Sequence, residues 1–382
     1  MSSNPYGVLV VDDSAMMRSL VGRIVDSDPE TTLVGKAMNG RFALQKIDSL
    51  KPEVIVLDLE MPEMNGIEFL QERRKRGIDV PVVVLSSVAT RGAKITMDAL
   101  SLGASDFILK PSGSVSPDVH KVAEQLLELI KSLGAEYRIR HGEPAERPVA
   151  KAAARASSTP AAARLQARGE PVVPPLVERL PVKAGPIEIV AVGISTGGPN
   201  ALRKVFALIP GDLPCPIVVV QHMPPGFTTE FAKSLDRVCP LTVKEADDDE
   251  RLAPGTIYIA PGDHHLTVTR SGGVARIRTN QDPNRNGHRP SADVLFESIA
   301  EHYGRCALGV IMTGMGKDGA AQLGSILKKG GLTVGQDEST SVVYGMPKVA
   351  YEMGHVQYQV PLPEMAETIT RLVTEHQKEP ED

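Results

Sequence analysis

Short apolar runs alternate with helix-length amphipathic stretches from Val8 to about Ser132, stop, and resume from Ile187 to about Gln377. In the first block "VLVV", "TTLVGKA", "VIVLDL", "VPVVVLSS" and "SDFILK" read as strands. Near-continuous Val, Ile and Leu fit strands buried on both faces, so this block predicts a parallel sheet covered by helices, a doubly wound α/β domain over 6–132. In the second block the strand candidates are "IEIVAVG", "CPIVVVQH", "TIYIAP", "CALGVIMTG" and "LTVGQD". "HLTVTR" and "GGVARIRT", joined by "SGG", read as a β-hairpin. The pattern predicts a second α/β parallel-sheet domain over 186–377 with a β-hairpin insertion.

Between the blocks, "AERPVAKAAARASSTPAAARLQARGEPVVPP" is rich in Ala, Pro and Arg and almost lacks large apolar residues. Such a stretch buries too little surface to offset its ordering entropy, so 133–185 is expected to be a linker.

Composition narrows the picture without changing it. The chain has 382 residues, which at roughly 150 residues per domain suggests two or three domains. A net charge of −5 leaves no basic excess for neutralising phosphates, so no nucleic-acid partner is expected. Cys215, Cys239 and Cys306 are odd in number, far apart and without metal-binding spacing, which points to a reduced, cytoplasmic protein. "MSSNPYG" leads straight into a strand, and no apolar run approaches the roughly 20 residues that cross a bilayer. Neither a signal peptide nor direct membrane insertion is expected.

Open parallel sheets carry their sites at the carboxyl ends of the strands. Those ends hold Asp12 and Asp13 after the first strand, Asp58 after the third, Ser86 after the fourth and Lys110 after the fifth. Converging carboxylates repel unless a cation joins them, and a hard cation such as Mg²⁺ suits oxygen ligands. A carboxylate beside Mg²⁺ can attack phosphorus to form an acyl phosphate, with Lys110 pairing to phosphoryl oxygens and the Ser86 hydroxyl donating to one. Taken singly, Asp12 and Asp13 also fit as caps of the helix starting near Ser14, and Lys110 as a surface residue. In their contexts "VVDDS", "VLDLEMPEMNG", "VVVLSS" and "FILKP", these residues resemble the receiver domain of response regulators, a flavodoxin-like fold. The resemblance implies Asp58 as phospho-acceptor, Asp12, Asp13 and Asp58 as the Mg²⁺ site, and Ser86, Phe107 and Lys110 as switch residues. Receivers control an attached output, so the second domain should hold the activity.

There, "GISTGG" follows one strand candidate and precedes a helix. It could cradle phosphate, form a plain turn, or present Ser195 as a nucleophile. Its glycines miss the spacing G-x-G-x-x-G, and in "TGMGKDGA" the residue after Lys317 is Asp318 rather than Ser or Thr, so both phosphate loops fail. "GISTG" does match the nucleophile elbow G-x-S-x-G. A serine nucleophile needs a base and an orienting carboxylate, and His222 and Asp318 each follow a strand candidate. The order Ser…His…Asp differs from the Ser…Asp…His of the α/β-hydrolases. The Thr196 N–H and a group at Met315 are the oxyanion candidates, and acyl transfer of this kind requires no cofactor. His264, His265 and His288 line the cleft or are loop histidines. A non-catalytic scaffold, with Ser195 in a plain turn, remains the alternative.

"GISTGGP", "QHMPPGFT", "IAPGDHHL", "RPSADVLF" and "TGMGKDGA" closely resemble the catalytic domain of chemotaxis protein-glutamate methylesterases of the CheB type. The resemblance implies hydrolysis of glutamate γ-methyl esters on chemotaxis receptors, deamidation of receptor glutamines, a chemotaxis histidine kinase as phosphodonor, and a triad of Ser195, His222 and Asp318. A hydrolase tethered to a phosphorylation switch further suggests that the unphosphorylated receiver packs over the Ser195 cleft.

Overall fold

A computed structural model describes residues 4–87, 90–110, 118–142 and 184–377. The first domain runs β1 (Tyr6–Val11), α1 (Ala15–Val25), β2 (Thr31–Ala37), α2 (Gly40–Leu50), β3 (Val54–Asp58), α3 (Gly66–Lys75), β4 (Val82–Ser86), α4 (Thr90–Ser101), β5 (Asp106–Leu109) and α5 (Asp118–Arg140). Its strands pair in parallel in the order β2-β1-β3-β4-β5. Successive side chains of a strand feed opposite faces: Leu9, Val11, Ile55 and Leu57 join one core layer, Val8, Val10, Val54 and Val56 the other. Helices cover both, which is why these strands read as unbroken apolar runs. The cap of α1 is Ser14, whose Oγ accepts from Met17 N.

Helix α5 continues past the boundary expected at 132. Leu133 and Ala135 are buried, and the Arg138 guanidinium ties the helix to Glu53 and to the Asn4 and Pro5 carbonyls. A helix with an apolar face and a buried guanidinium has packing reasons to go on where composition alone suggests a tether. The rest of the expected linker, 143–183, lies outside the described residues.

The second domain runs β6 (Ile189–Ile194), α6 (Gly198–Phe206), β7 (Ile217–Gln221), α7 (Phe227–Asp236), β8 (Thr242–Glu245), β9 (Thr256–Ile259), β10 (His265–Ser271), β11 (Val274–Asn280), α8 (Ala292–Tyr303), β12 (Ala307–Ile311), α9 (Ala320–Lys328), β13 (Leu332–Gln336), α10 (Met346–Glu352), β14 (Tyr358–Val360) and α11 (Met365–Glu375). Seven strands pair in parallel in the order β14-β13-β12-β6-β7-β9-β8. The chain leaves β6 toward β7 and later returns to place β12 on the other side of β6. That reversal opens a crevice at the carboxyl ends of these three strands. Hairpin β10-β11 forms its own sheet, burying Leu266, Val268 and Ile277 against Leu295, Phe296 and Ile299 of α8. Edge strands β8 and β14 were not foreseen: "TVKE" and "YQV" are short and mostly half-exposed. Among the described residues, no helix is long and apolar enough to cross a membrane.

Candidate active site

Three residues expected from sequence meet at the crevice. Ser195 follows β6, His222 follows β7 and Asp318 lies between β12 and α9. The Ser195 backbone is clamped from both sides, its N–H donating to Thr313 O at 3.0 Å and its carbonyl accepting from Gln221 Nε2 at 3.0 Å. The chain then turns sharply through Gly197, at φ +78°, where a Cβ would lie 2.7 Å from that of Val342. Helix α6 starts at once, so the elbow sits at the positive end of a helix.

The Ser195 Oγ lies 3.0 Å from His222 Nδ1, and His222 Nε2 lies 2.9 Å from Asp318 Oδ2. A carboxylate only accepts, so the imidazole proton belongs on Nε2, leaving the Nδ1 lone pair for the serine hydroxyl. Asp318 is 1 % exposed. It also accepts from Asn286 Nδ2 at 2.9 Å, Ser291 Oγ at 2.6 Å and Ala292 N at 2.6 Å. Burial alone would raise its pKa, but the His222, Asn286 and Ser291 donors outweigh burial and hold the carboxyl well below its usual range.

Asn286 and Ser291 were missed in the sequence. "RPSADVLF" drew notice as a motif, but nothing in it shows that Ser291 reaches Asp318. Thr196 follows Ser195 in the chain, and Gly314, the residue before Met315, packs so closely on Ser195 that a Cβ there would lie 2.8 Å from the Ser195 Cβ. His288 lies face to face with His222, ring centroids 3.8 Å apart and planes 5° apart. Burial, followed by the charge on His222, pushes the His288 pKa down to about 3. His264 and His265 instead bond the carbonyls of Gly262 and Pro283.

The first domain forms one wall of the site. A cavity of about 470 Å³ is lined by Ser195, Thr196, His222 and His288 on one side and by Phe107 and Lys121 on the other. Phe107 stacks on Phe227 of α7, centroids 5.1 Å apart. Asn200 of α6 donates to the Ala104 and Ser105 carbonyls, each at 2.8 Å. The Asp106 Oδ2 accepts the Gly197 N–H of the elbow at 2.6 Å. Burial pushes the Asp106 carboxyl up to about 6, and the Gly197 and Phe107 N–H groups offset only part of the rise. Within the strand candidate "SDFILK", Asp106 gave no hint of this contact.

At the far end of β5, Lys110 Nζ lies 2.8 Å from Asp58 Oδ2 and 3.0 Å from Asp12 Oδ2. Oxygens of Asp12, Asp13 and Asp58 fall within 4.8 Å of one another, a donor set that suits a hard cation. Burial pushes the Asp58 carboxyl up, with Lys110 pulling the other way and Asp12 adding to the rise. The Ser86 hydroxyl bonds Thr96 Oγ1 at 2.6 Å and the Ser87 carbonyl at 3.2 Å, while Ser86 also lines a small cavity beside Asp58.

Fold and site together define a class: a serine-hydrolase constellation on a parallel sheet, walled by a second domain with a lysine-capped acidic pocket. The chain belongs to the protein-glutamate methylesterase/protein-glutamine glutaminase family. It is 53% identical over 364 residues to the protein of that name from Treponema denticola, covering 95% of this chain and 97% of that one. Its counterpart from Treponema pallidum is 46% identical over 393 residues, covering 97% and 98%. Residues 190–369 match the family model described as CheB methylesterase, and 8–116 match the response regulator receiver domain. The Thermotoga maritima CheB methylesterase catalytic domain, a crystal structure, is 42% identical and covers 49% of this chain and 99% of its own, with a TM-score of 0.48.

Proposed function

We propose that this chain hydrolyses glutamate γ-methyl esters on chemotaxis receptors, releasing methanol, and deamidates receptor glutamines, under control of phosphorylation at Asp58. The hydrogen-bonded line from Ser195 through His222 to Asp318 carries this reading. Ser195 Oγ attacks the ester carbonyl carbon as His222 Nδ1 takes its proton. The oxyanion forms against the Thr196 and Met315 N–H groups. His222 then returns the proton to the departing methanol, or to ammonia from a glutamine. Water, deprotonated by His222, attacks the acyl-serine, and the proton returns to Ser195 as the glutamate leaves. Ionised Asp318 holds the tautomer and stabilises the transient imidazolium.

In the receiver, Asp12, Asp13 and Asp58 would hold Mg²⁺, which supplies positive charge where phosphoryl oxygens gather. Asp58 accepts the phosphoryl group from a chemotaxis histidine kinase, and Lys110 is placed to pair with it. The compartment is the cytoplasm, where both kinase and receptor tails would be met. Methanol release from methylated receptor, with and without a small phosphodonor and Mg²⁺, tests the reading. No release under either condition would refute it.

The receiver inhibits by covering the cleft, and Asp106 is its grip on the elbow. Strand β5 links the two ends of the switch, since Asp106 opens it and Lys110, bonded to Asp58, follows it. A fragment 186–382 should therefore hydrolyse faster than the unphosphorylated full chain. Asp106→Ala in the full chain should raise the basal rate about tenfold, the worth of roughly 1.4 kcal/mol for a lost interdomain hydrogen bond. Equal rates for fragment and full chain would sink the inhibitory arrangement.

The buried Asp106 carboxyl makes the stability of the folded chain depend on pH. Its pKa is about 6 in the folded chain against an ordinary value of 3.8, so the folded form takes up the proton more readily. Its contribution to stability is therefore full below the ordinary value and is lost as pH rises through about 6. The unfolding midpoint of the full chain is expected to fall relative to that of Asp106→Asn between about pH 4 and pH 7. A parallel pH profile in Asp106→Asn would assign the titration elsewhere.

A further inference from the structure

The segment "RNGHRPS", 285–291, does more than connect β11 to α8. Arg285 N donates to His288 O at 3.1 Å and His288 N to Arg285 O at 3.0 Å. Between them Asn286 has φ +54° and Gly287 φ +81°. Two central residues at positive φ mark the type I′ hairpin turn, for which Asn-Gly is the favoured pair. The turn sends its side chains to two different members of the triad. Asn286 Nδ2 donates to Asp318 Oδ1 at 2.9 Å and to Asp293 Oδ2 at 2.6 Å. His288 lies flat on the His222 ring.

We propose that this turn is a positioning device for the triad, in which Asn286 fixes Asp318 and His288 fixes the plane of His222, neither taking part in bond making. The inference rests on the hydrolase reading above. A single amide nitrogen bridges two carboxylates that would otherwise repel, and the second is itself anchored, Asp293 Oδ1 accepting Gln322 N of α9 at 3.0 Å. The histidine χ2 torsion is broad and does not fix a ring by itself. Face contact with His288 restricts rotation out of the plane that contains Ser195 and Asp318, while leaving both ring nitrogens free at the edge. The charged and titratable groups facing this pair are Asp318 on His222, Asp293 beside Asp318, and Lys121 of α5 near His288.

Three variants test the device in the full chain, activated by a small phosphodonor and assayed by methanol release from methylated receptor. Asn286→Gly keeps the positive-φ turn and deletes the amide. His288→Ala removes the ring, and His288→Phe restores a flat one. Asn286→Gly and His288→Ala should lower kcat about tenfold with KM changed by less than about twofold.

His288→Phe should recover the rate, because a flat ring again covers the face of His222, and the two His288 variants carry the test should Asn286→Gly not fold. Unchanged kcat, a rise in KM that matches the fall in kcat/KM, or no recovery in His288→Phe would overturn the proposal. An inert wild-type chain would instead overturn the hydrolase reading beneath it.

Discussion

Ser195→Ala is expected to lower receptor-ester hydrolysis at least about 10⁴-fold with the fold intact. The substitution removes only Oγ. Its backbone anchors to Thr313 and Gln221 do not involve the side chain, and His222 keeps its bond to Asp318. What disappears is the one atom able to form the acyl-enzyme. The residual rate would come from His222 acting on water beside the oxyanion donors. Methanol release, with thermal unfolding of the same preparation, checks both halves. Hydrolysis at the wild-type rate would return Ser195 to a plain turn residue in a scaffold.

Asp318→Asn should cost about 10⁴-fold in kcat, for a reason specific to its surroundings. The two carboxylate oxygens accept from His222, Asn286, Ser291 and the Ala292 N–H. An amide replaces one acceptor by a donor, so one end of the side chain must face N–H or O–H groups that also donate. If the amide nitrogen faces His222, the ring must carry its proton on Nδ1, where it cannot accept from Ser195. If it faces Ser291 and Asn286, a buried donor loses its partner, at about 1–3 kcal/mol of stability. The variant should therefore be slow, less stable, or both. Single-turnover rates with unfolding curves separate the two, and a fast, fully stable Asn variant would remove Asp318 from the relay.

The central strands were legible because parallel strands buried on both faces leave a plain trace of Val, Ile and Leu, as in "VIVLD" and "IVVVQ". The convergence of Ser195, His222 and Asp318 was legible for a related reason: β6, β7 and β12 end in the same direction, so residues just beyond them share one edge of the sheet. Other features leave no such trace. Strand β8 is half polar because it lies at an edge, and α5 outlasts its expected end because Arg138 finds Glu53 far away in sequence. Asp106 is an ordinary strand opener until a second domain puts the Gly197 N–H against it. The Asn286-Gly287 pair was within reach, since that dipeptide signals a tight hairpin, but its approach to Asp318 depends on how α8 and α9 pack.

The partners in the Asp106–Gly197 contact differ in how they can change. On the hydrolase side the donor is main chain, at a residue whose positive φ and crowding by Val342 resist any replacement. On the receiver side it is a single side chain, one base change from several others. Variation in how tightly the two domains hold at this contact, whether inherited or engineered, is therefore open at position 106 and closed at 197. A lineage could retune the grip between its domains without touching Ser195, His222 or Asp318.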